Sequence, residues 1–254
     1  DANGGTDLTE VNLAAADQAT DTPTNNFATW NPLYYDPYPP TFSEGNCVIR
    51  HTSDTDQVAC ASSMAMPTSG KWYIEIQASI KETRVGYFGI IDVDMAQEAL
   101  RANPDLSADA SNYNQAVYRW DNGGTNIYGT SNNSYGNTVA DDDIAQIAFD
   151  ADNGAVYFGI NNTWQASSDP TSGASKTTAL DISGHDCYSG VTGWVIFQGD
   201  GAGSKSNDNN ANFGGCSGFA ISSAANDANG YGVFEYAPPS GYFALCTKNL
   251  AEYG

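Results

Sequence analysis

Positive charge is scarce in this sequence. Nine Lys and Arg residues stand against 30 Asp and Glu residues, which gives a formal net charge of -21 at pH 7. Nucleic acids and anionic lipids are bound by basic surfaces, so this balance argues against both as partners.

No apolar run approaches the roughly 18 residues of a membrane helix, and no signal peptide is recognisable. We therefore predict no membrane insertion. Because the sequence begins at Asp1 rather than Met, we expect a processed or partly ordered product, with a preceding leader as an open alternative.

Cysteine and histidine are also scarce, with five and two residues. No Cys-x-x-Cys or His spacing indicates zinc, and the cysteines are too scattered for a disulfide scaffold. Cys47 and Cys60 are candidates for one disulfide across a hairpin, and buried thiols acting as small hydrophobic side chains are the alternative. His51 and His185 lie in no recognisable nucleophile turn, so acyl transfer is not predicted.

Helical periodicity is almost absent, and the composition favours strands. With 26 Gly, 15 Tyr and 15% charged residues, the chain predicts short strands joined by polar turns, and 254 residues suit one large all-β domain. One helix is predicted at residues 94–103, capped by Asp94 and ended by Pro104. Eleven strands suffice for two packed antiparallel sheets. They are predicted at residues 47–51, 57–63, 71–80, 85–91, 116–120, 144–150, 155–160, 192–198, 218–221, 231–234 and 242–245.

The clearest strand signal is a hairpin within residues 141–164. Apolar residues alternate with period two before and after Asp152-Asn153-Gly154, which supplies residues that tolerate the positive φ of a tight turn. A strand, an Asp-x-Asp-Asn-Gly turn, an aromatic strand and then Asn-x-x-Trp resemble the core hairpin of SPRY (B30.2-like) domains. The resemblance implies a concanavalin-like jelly roll, an antiparallel sandwich of two sheets.

Three further segments carry the same resemblance: residues 21–33, 69–76 and 236–250. The variant that they resemble most is the SPRY-like module of structural proteins in tailed phages, particularly marine ones. We expect this domain to span residues 27–254. Residues 1–26, rich in Gly, Asp, Thr and Ala with weak periodicity, predict an extended N-terminal arm or linker.

Aromatic residues and prolines are concentrated in residues 27–40. The prolines exclude a central strand, so we expect an irregular aromatic flap over one edge of the sandwich, with a ligand platform as the alternative.

Two oxygen-rich regions are candidate sites. Asp150, Asp152 and Asn153 are weak calcium candidates, but their spacing does not match the twelve-residue calcium loop, and the same residue types serve turns. No other cofactor is predicted.

Aromatic and amide residues are mixed between 112 and 135, and a polar loop follows at 200–210. Aromatic rings can stack on sugar rings, and the polar groups can form hydrogen bonds with sugar hydroxyls; core packing of the aromatics is the alternative. The candidate ligand-binding residues are Tyr113, Trp120, Asn122, Tyr128, Asn132, Tyr135, Asp200, Asn207 and Asp208.

No catalytic carboxylate pair is recognisable. Concanavalin-like glycoside hydrolases carry a Glu-x-Asp-x-x-Glu arrangement on one strand. The nearest match begins at Glu75, has Gln77 in place of the Asp, and reaches its second acid only at Glu82. We therefore predict that the protein is not an enzyme.

The resemblance implies a non-enzymatic structural protein on the surface of a phage particle, as capsid decoration or fibre. Its arm would contact other virion proteins, its loops a host-surface glycan or receptor, and a homo-oligomer is expected. The alternative is a secreted or cell-surface lectin-like carbohydrate-binding module of a bacterium.

Overall fold

The computed structural model describes residues 22–35, 40–50, 58–80, 86–96, 114–183, 190–200 and 207–254. Strands dominate these ranges, and an α-helix, α1 (Thr247–Tyr253), lies at the C-terminal end. No helix in these ranges is long and apolar enough to cross a membrane. The strands are β1 (Trp30–Tyr35), β2 (Thr41–Ser43), β3 (Val48–Arg50), β4 (Val58–Ser62), β5 (Lys71–Ile80), β6 (Gly86–Asp92), β7 (Gln115–Arg119), β8 (Thr125–Ile127), β9 (Thr130–Asn132), β10 (Ile144–Asp150), β11 (Ala155–Ile160), β12 (Thr163–Trp164), β13 (Leu180–Asp181), β14 (Trp194–Asp200), β15 (Asn207–Asn212), β16 (Ala225–Asn226) and β17 (Val233–Phe234).

Two antiparallel sheets form the body of the protein. Sheet I has the strand order β1-β4-β14-β6-β7-β8-β9, and sheet II has the order β12-β11-β10-β5-β15-β3-β2, with β13 beside β11. The short pair β16-β17 stands apart from both. The predicted fold class, an all-β sandwich of two antiparallel sheets, is confirmed.

The predicted hairpin forms β10 and β11, with Ile147 opposite Phe158 and Asp150 opposite Ala155. Its turn is fixed by the Asp150 carboxylate, which accepts hydrogen bonds from the backbone and side-chain nitrogens of Asn153 at 3.1 and 2.9 Å. Gly154 has a φ of +64°, and a Cβ there would lie 2.9 Å from the Cβ of Ser183. Backbone geometry and space therefore both favour glycine at this position.

Aromatic rings from both sheets meet in the core between them. Phe158 of sheet II contacts Phe88 and Tyr118 of sheet I, with ring centroids 5.4 and 5.3 Å apart. All three side chains are fully buried. Such edge-on and tilted arrangements add to the free energy of simple area burial, so this cluster contributes strongly to holding the sheets face to face.

Part of the outer face of sheet II is also covered, by side chains of residues 213–246, which we name the cover segment. Phe234 of the cover segment packs edge-on against Tyr73 of β5 at 4.9 Å, and Tyr242 is fully buried beside them. Sheet II is therefore apolar on its core face and also over part of its outer face.

Several predicted boundaries differ from the structure. The loop predicted at 200–210 contains the end of β14 and the start of β15, and β15 lies inside sheet II between β5 and β3. The strand predicted at 218–221 is absent, and the one at 242–245 is reduced to an isolated bridge at Phe243. Of the predicted helix 94–103, residues 94–96 are helical, in a turn of helix that begins at residue 93, and the remainder lies outside the described residues.

Residues 30–35 of the proline-rich segment form an edge strand rather than an irregular flap, and residues 36–39 lie outside the described residues. In β1, Pro32 lies at the edge of sheet I, where the missing N–H breaks no ladder, and Trp30 is fully buried against Phe213. Most of the predicted arm, residues 1–21, lies outside the described residues. Its last part is attached to α1, since Thr247 N donates to Asn26 O at 2.9 Å.

The candidate disulfide between Cys47 and Cys60 is wrong. Cys60 lies in β4 of sheet I and Cys47 directly precedes β3 of sheet II, and neither cysteine is part of a disulfide. The Cys47 thiol instead contacts Cys216 O at 3.2 Å, and the Cys60 thiol contacts Asn31 O at 3.4 Å. Both side chains are buried, as the alternative interpretation expects.

Candidate functional site

The predicted ligand-binding residues do not form one surface. Trp120 and Tyr135 are buried, at 4% and 8% exposure, and belong to the core between the sheets. Asp208 is buried in β15 of sheet II and forms an ion pair with Arg50 at 3.1 Å. The structure therefore buries these three side chains rather than placing them on an open surface. Tyr113 lies outside the described residues, as do the side chains of Asp200 and Asn207.

The remaining three residues lie around the β7-β8-β9 turns of sheet I. Tyr128 is 37% exposed at the β8-β9 turn. Asn122 accepts a hydrogen bond from Gly124 N at 2.8 Å, and Asn132 accepts one from Ser134 N at 3.0 Å. Both amides thus stabilise their own turns, as Asn commonly does.

A shallow pocket of about 30 Å³ opens beside these turns, on the outer face of sheet I. Its position follows from strand register: Val117, Asn126 and Ser131 lie directly opposite one another on β7, β8 and β9. Residues that are directly opposite share one face, and Tyr118, one step along β7, points into the core instead. The residues that line the pocket are Tyr87, Val117, Arg119, Gly124, Thr125, Asn126, Ser131 and Asn133.

Arg119 supplies the positive charge of the pocket. Its Nε and Nη2 donate to the two oxygens of Asp121, a bidentate pair that fixes the plane of the guanidinium. The guanidinium carbon lies 5.9 Å from the ring centroid of Tyr87, within the range of a cation–π contact. The guanidinium that forms this wall of the pocket is therefore oriented by both Asp121 and Tyr87.

Amide and hydroxyl groups form the opposite wall. Asn126 Nδ2 donates to Ser131 Oγ at 2.9 Å, and Asn126 Oδ1 accepts from Gly129 N at 3.0 Å, so the β8-β9 turn is held in place by one side chain. Among the described residues that line the pocket there is no carboxylate, His or Cys. This lining can bind polar ligand groups, but it offers no pair of groups for proton transfer.

The sequence indicated this region but not these residues. Asn122, Tyr128 and Asn132 are neighbours of the pocket, and Asn126, which lines it, belongs to the amides between residues 112 and 135, whereas Arg119 and Ser131 were not singled out. The available signal was the alternation along β7, where Val117 and Arg119 share the face opposite Ala116 and Tyr118. That alternation was hidden because both faces of this strand carry apolar residues.

The calcium candidates are engaged in structural contacts. Lys71 Nζ lies 2.8 Å from the fully buried Asp150 carboxylate, and Asp152 accepts a hydrogen bond from Gly70 N at 2.8 Å. Within the part of the chain that the structure describes, no three His, Cys, Asp or Glu side chains come close enough to hold a metal ion. The hairpin turn is thus built from carboxylates that already have partners.

Removal of calcium should leave stability unchanged. Lys71 and Asn153 occupy the carboxylate oxygens of Asp150, so a cation would have to displace both. We expect melting temperatures in EDTA and in millimolar calcium, at matched ionic strength, to agree within about 1 °C. A bound ion at a hundredfold its Kd adds about 2.7 kcal/mol, so a rise of several degrees that Asp152→Ala abolishes would contradict this expectation.

Glu75, the residue nearest to a hydrolase pattern, is fully buried under the cover segment. Its oxygens accept hydrogen bonds from Tyr73 Oη, Asn212 Nδ2 and the backbone nitrogens of Glu235 and Tyr236, at 2.8 to 3.3 Å. Burial raises the pKa of Glu75, and these donors oppose the shift. The carboxylate anchors the cover segment and has no open face toward a substrate.

Similarity to known proteins lies at the level of structure. No family model matches this sequence, and no curated protein matches it. The SPRY domain of human HERC1 is similar with a TM-score of 0.48 at 11% identity, over 70% of this chain and 94% of that chain. A human SPRY domain is similar with a TM-score of 0.42 at 13% identity, over 64% of this chain and 89% of that chain. At these identities the likeness concerns the fold alone.

Proposed function

We propose that this protein is a non-enzymatic module displayed on the surface of a phage particle, as capsid decoration or fibre. The pocket over β7, β8 and β9 contacts a polar ligand on the host surface, a glycan or a protein. The observation that carries the binding role is the lining of this pocket, which combines a fixed guanidinium, amides, a hydroxyl and an aromatic ring without a carboxylate.

The charge of the protein narrows the ligand class. A net charge of -21 repels anionic ligands over the distance of a Debye length. Arg119 is already paired with Asp121, so it donates hydrogen bonds without offering a full charge. Neutral sugar hydroxyls and backbone amides match such a lining better than phosphate or sulfate does.

The non-enzymatic part of the proposal rests on the buried carboxylates. Glu75 and Asp150 have structural partners, and Asp227 accepts hydrogen bonds from Tyr231 N, Gly232 N and Ala244 N. General acid and base work needs a carboxyl group within reach of a substrate proton. These three groups have their oxygens directed at the protein itself.

The phage setting rests on the sequence resemblance of residues 21–33, 69–76, 141–164 and 236–250 to modules of tailed-phage structural proteins. An acidic surface and a doubly covered sheet II suit a protein that persists outside a cell. A lectin-like module of a bacterium would use the same pocket, and association with particles separates the two.

Filling the pocket should abolish ligand binding. Ser131 lies on the pocket face of β9, so Ser131→Trp places an indole where the ligand sits, and we expect at least a tenfold loss of affinity, about 1.4 kcal/mol. Thr130→Trp is the matched control, because Thr130 is exposed on the same strand and does not line the pocket. The measurement is binding of labelled protein to host cells and to a glycan array.

Two results would count against this assignment. Equal binding by Ser131→Trp and the wild type would place the ligand elsewhere on the molecule. Equal losses in both Trp variants would indicate a damaged edge strand rather than a blocked pocket, and circular dichroism of both variants identifies that case.

A further inference from the structure

Two cysteines that are 169 residues apart in the sequence meet at one end of sheet II. Cys47 Sγ donates to Cys216 O at 3.2 Å, and Cys216 Sγ donates to Glu44 O at 3.3 Å. The same Glu44 oxygen accepts the backbone N–H of Cys47 at 3.0 Å. Each thiol therefore rests on the backbone of the segment that carries the other thiol.

The two segments are fixed against each other by their backbones. Ala211 N donates to Cys47 O at 2.7 Å, and Gly218 N donates to Ala211 O at 2.8 Å, so the chain on both sides of Cys216 is held beside Cys47. A Cβ on Gly218 would lie 2.7 Å from Cys47 O, closer than a side chain allows. Glycine at this position thus permits the close approach of the two segments.

We propose that Cys47 and Cys216 form an intramolecular disulfide when the protein enters an oxidising environment. Cys216 is partly exposed, so a small oxidant reaches it first, and Cys47 is buried beside it as the resolving thiol. The bond would join the turn between β2 and β3 to the start of the cover segment. The bond would form between two segments whose backbones are already hydrogen-bonded to each other.

The chemistry is two thiol–disulfide exchanges with a low-molecular-weight disulfide. The Cys216 thiolate attacks one sulfur of this disulfide and releases its other half as a thiolate. The Cys47 thiolate then attacks the Cys216 sulfur of the mixed disulfide and releases the second half. The protons from the two cysteines end on the two released thiols, so the small disulfide is reduced and the cysteine pair is oxidised.

Cys60 has a different environment. It is fully buried in sheet I, and burial raises the pKa of its thiol to about 12. Thiolates are the reactive form, so Cys60 should stay reduced under the same conditions and serves as the control cysteine.

The test is peptide mapping of the purified wild-type protein after equilibration with glutathione disulfide. We expect a Cys47–Cys216 linked peptide that disappears on reduction. Closing so long a loop restricts the unfolded chain, so oxidation should raise the melting temperature by about 4 to 12 °C. Cys216→Ser should abolish this rise, and Cys60→Ser should retain it.

Three results would overturn the proposal: Cys47 and Cys216 recovered as thiols, a stable glutathione adduct on Cys216, or Cys216 linked to Cys187 or to a second chain. The wild-type peptide map decides between these outcomes even if a serine variant fails to fold.

Discussion

Replacing Glu75 by Ala should lower the free energy of unfolding by about 3 to 5 kcal/mol, because the buried donors that surround the carboxylate lose their acceptor. Two of these donors are the backbone nitrogens of Glu235 and Tyr236, at 2.9 and 2.8 Å, which belong to the cover segment. The cover segment should therefore detach more readily. Urea denaturation measures the loss, and limited proteolysis should show earlier cleavage within residues 213–246.

Glu75→Gln is the matched variant, because glutamine retains the shape of the side chain and removes its ionisable group. Burial raises the pKa of Glu75 in the folded protein above its unfolded value, which is about 4.3. The folded state then binds this proton more tightly than the unfolded state does. The contribution of Glu75 to stability is therefore greatest below the unfolded pKa and falls as pH rises through the folded pKa.

Glutamine does not titrate in this range, so the difference in unfolding free energy between the wild type and Glu75→Gln should be largest at about pH 4 and should decrease toward neutral pH. Most other carboxylates cancel in this difference. A difference that does not vary with pH would mean that burial does not raise the pKa of Glu75. A loss below about 1 kcal/mol for Glu75→Ala would mean that Glu75 does not anchor the cover segment.

Replacing Phe158 by Ala should cost about 3 to 5 kcal/mol, because it removes the ring by which sheet II contacts Phe88 and Tyr118 of sheet I. Phe158 is fully buried, so the loss includes a cavity term in addition to the lost apolar burial. The measurement is the denaturation midpoint and its slope in urea, at fixed protein concentration.

Phe158→Leu is the control, since it retains most of the apolar volume and should cost markedly less than Phe158→Ala. Similar losses of only about 1 kcal/mol in both variants would show that the two sheets are not held together by this aromatic cluster. If Phe158→Ala does not fold, the Leu variant still gives the sign and scale of the effect.

The sequence predicted strands well where apolar alternation and turn chemistry agree. In the β10-β11 hairpin, period-two alternation and the Asp-Asn-Gly turn indicate the same register, and the structure pairs Phe149 with Val156 as that register requires. β5 was predicted with its observed bounds, Lys71–Ile80. Local patterns are sufficient there because one face of each strand is consistently apolar.

β15 could not be predicted, because its sequence is typical of a loop. Asn207–Asn212 contains four asparagines and one aspartate, which disfavour strands in isolation. The structure gives these amides partners: Asn209 donates to Gln198, Asn210 to Gln77 at 3.2 Å, and Asn212 to Glu75 at 3.3 Å. Gln77 and Glu75 are 133 and 137 residues away in the sequence, so no local pattern contains them.

The candidate site was predicted by region and missed by residue for a related reason. Aromatic side chains near residues 112–135 suggested a binding surface, yet Trp120 and Tyr135 point into the core. There the ring centroids of Trp120 and Phe88 are 4.9 Å apart. Aromatics stabilise cores and interfaces alike, so composition cannot distinguish the two. The pocket is instead formed by Asn126 and Ser131 on two three-residue strands, which lack an apolar pattern.

The proposed role depends on where the protein resides, and one measurement decides it most directly: cryo-electron microscopy of intact particles from the source, with this fold fitted into the surface density. We predict density for the sandwich on the particle surface, with the N-terminal residues directed toward a neighbouring subunit and the pocket lined by Arg119, Asn126 and Ser131 facing outward. Particles that lack this density, or in which a neighbouring subunit seals the pocket, would contradict the proposed function.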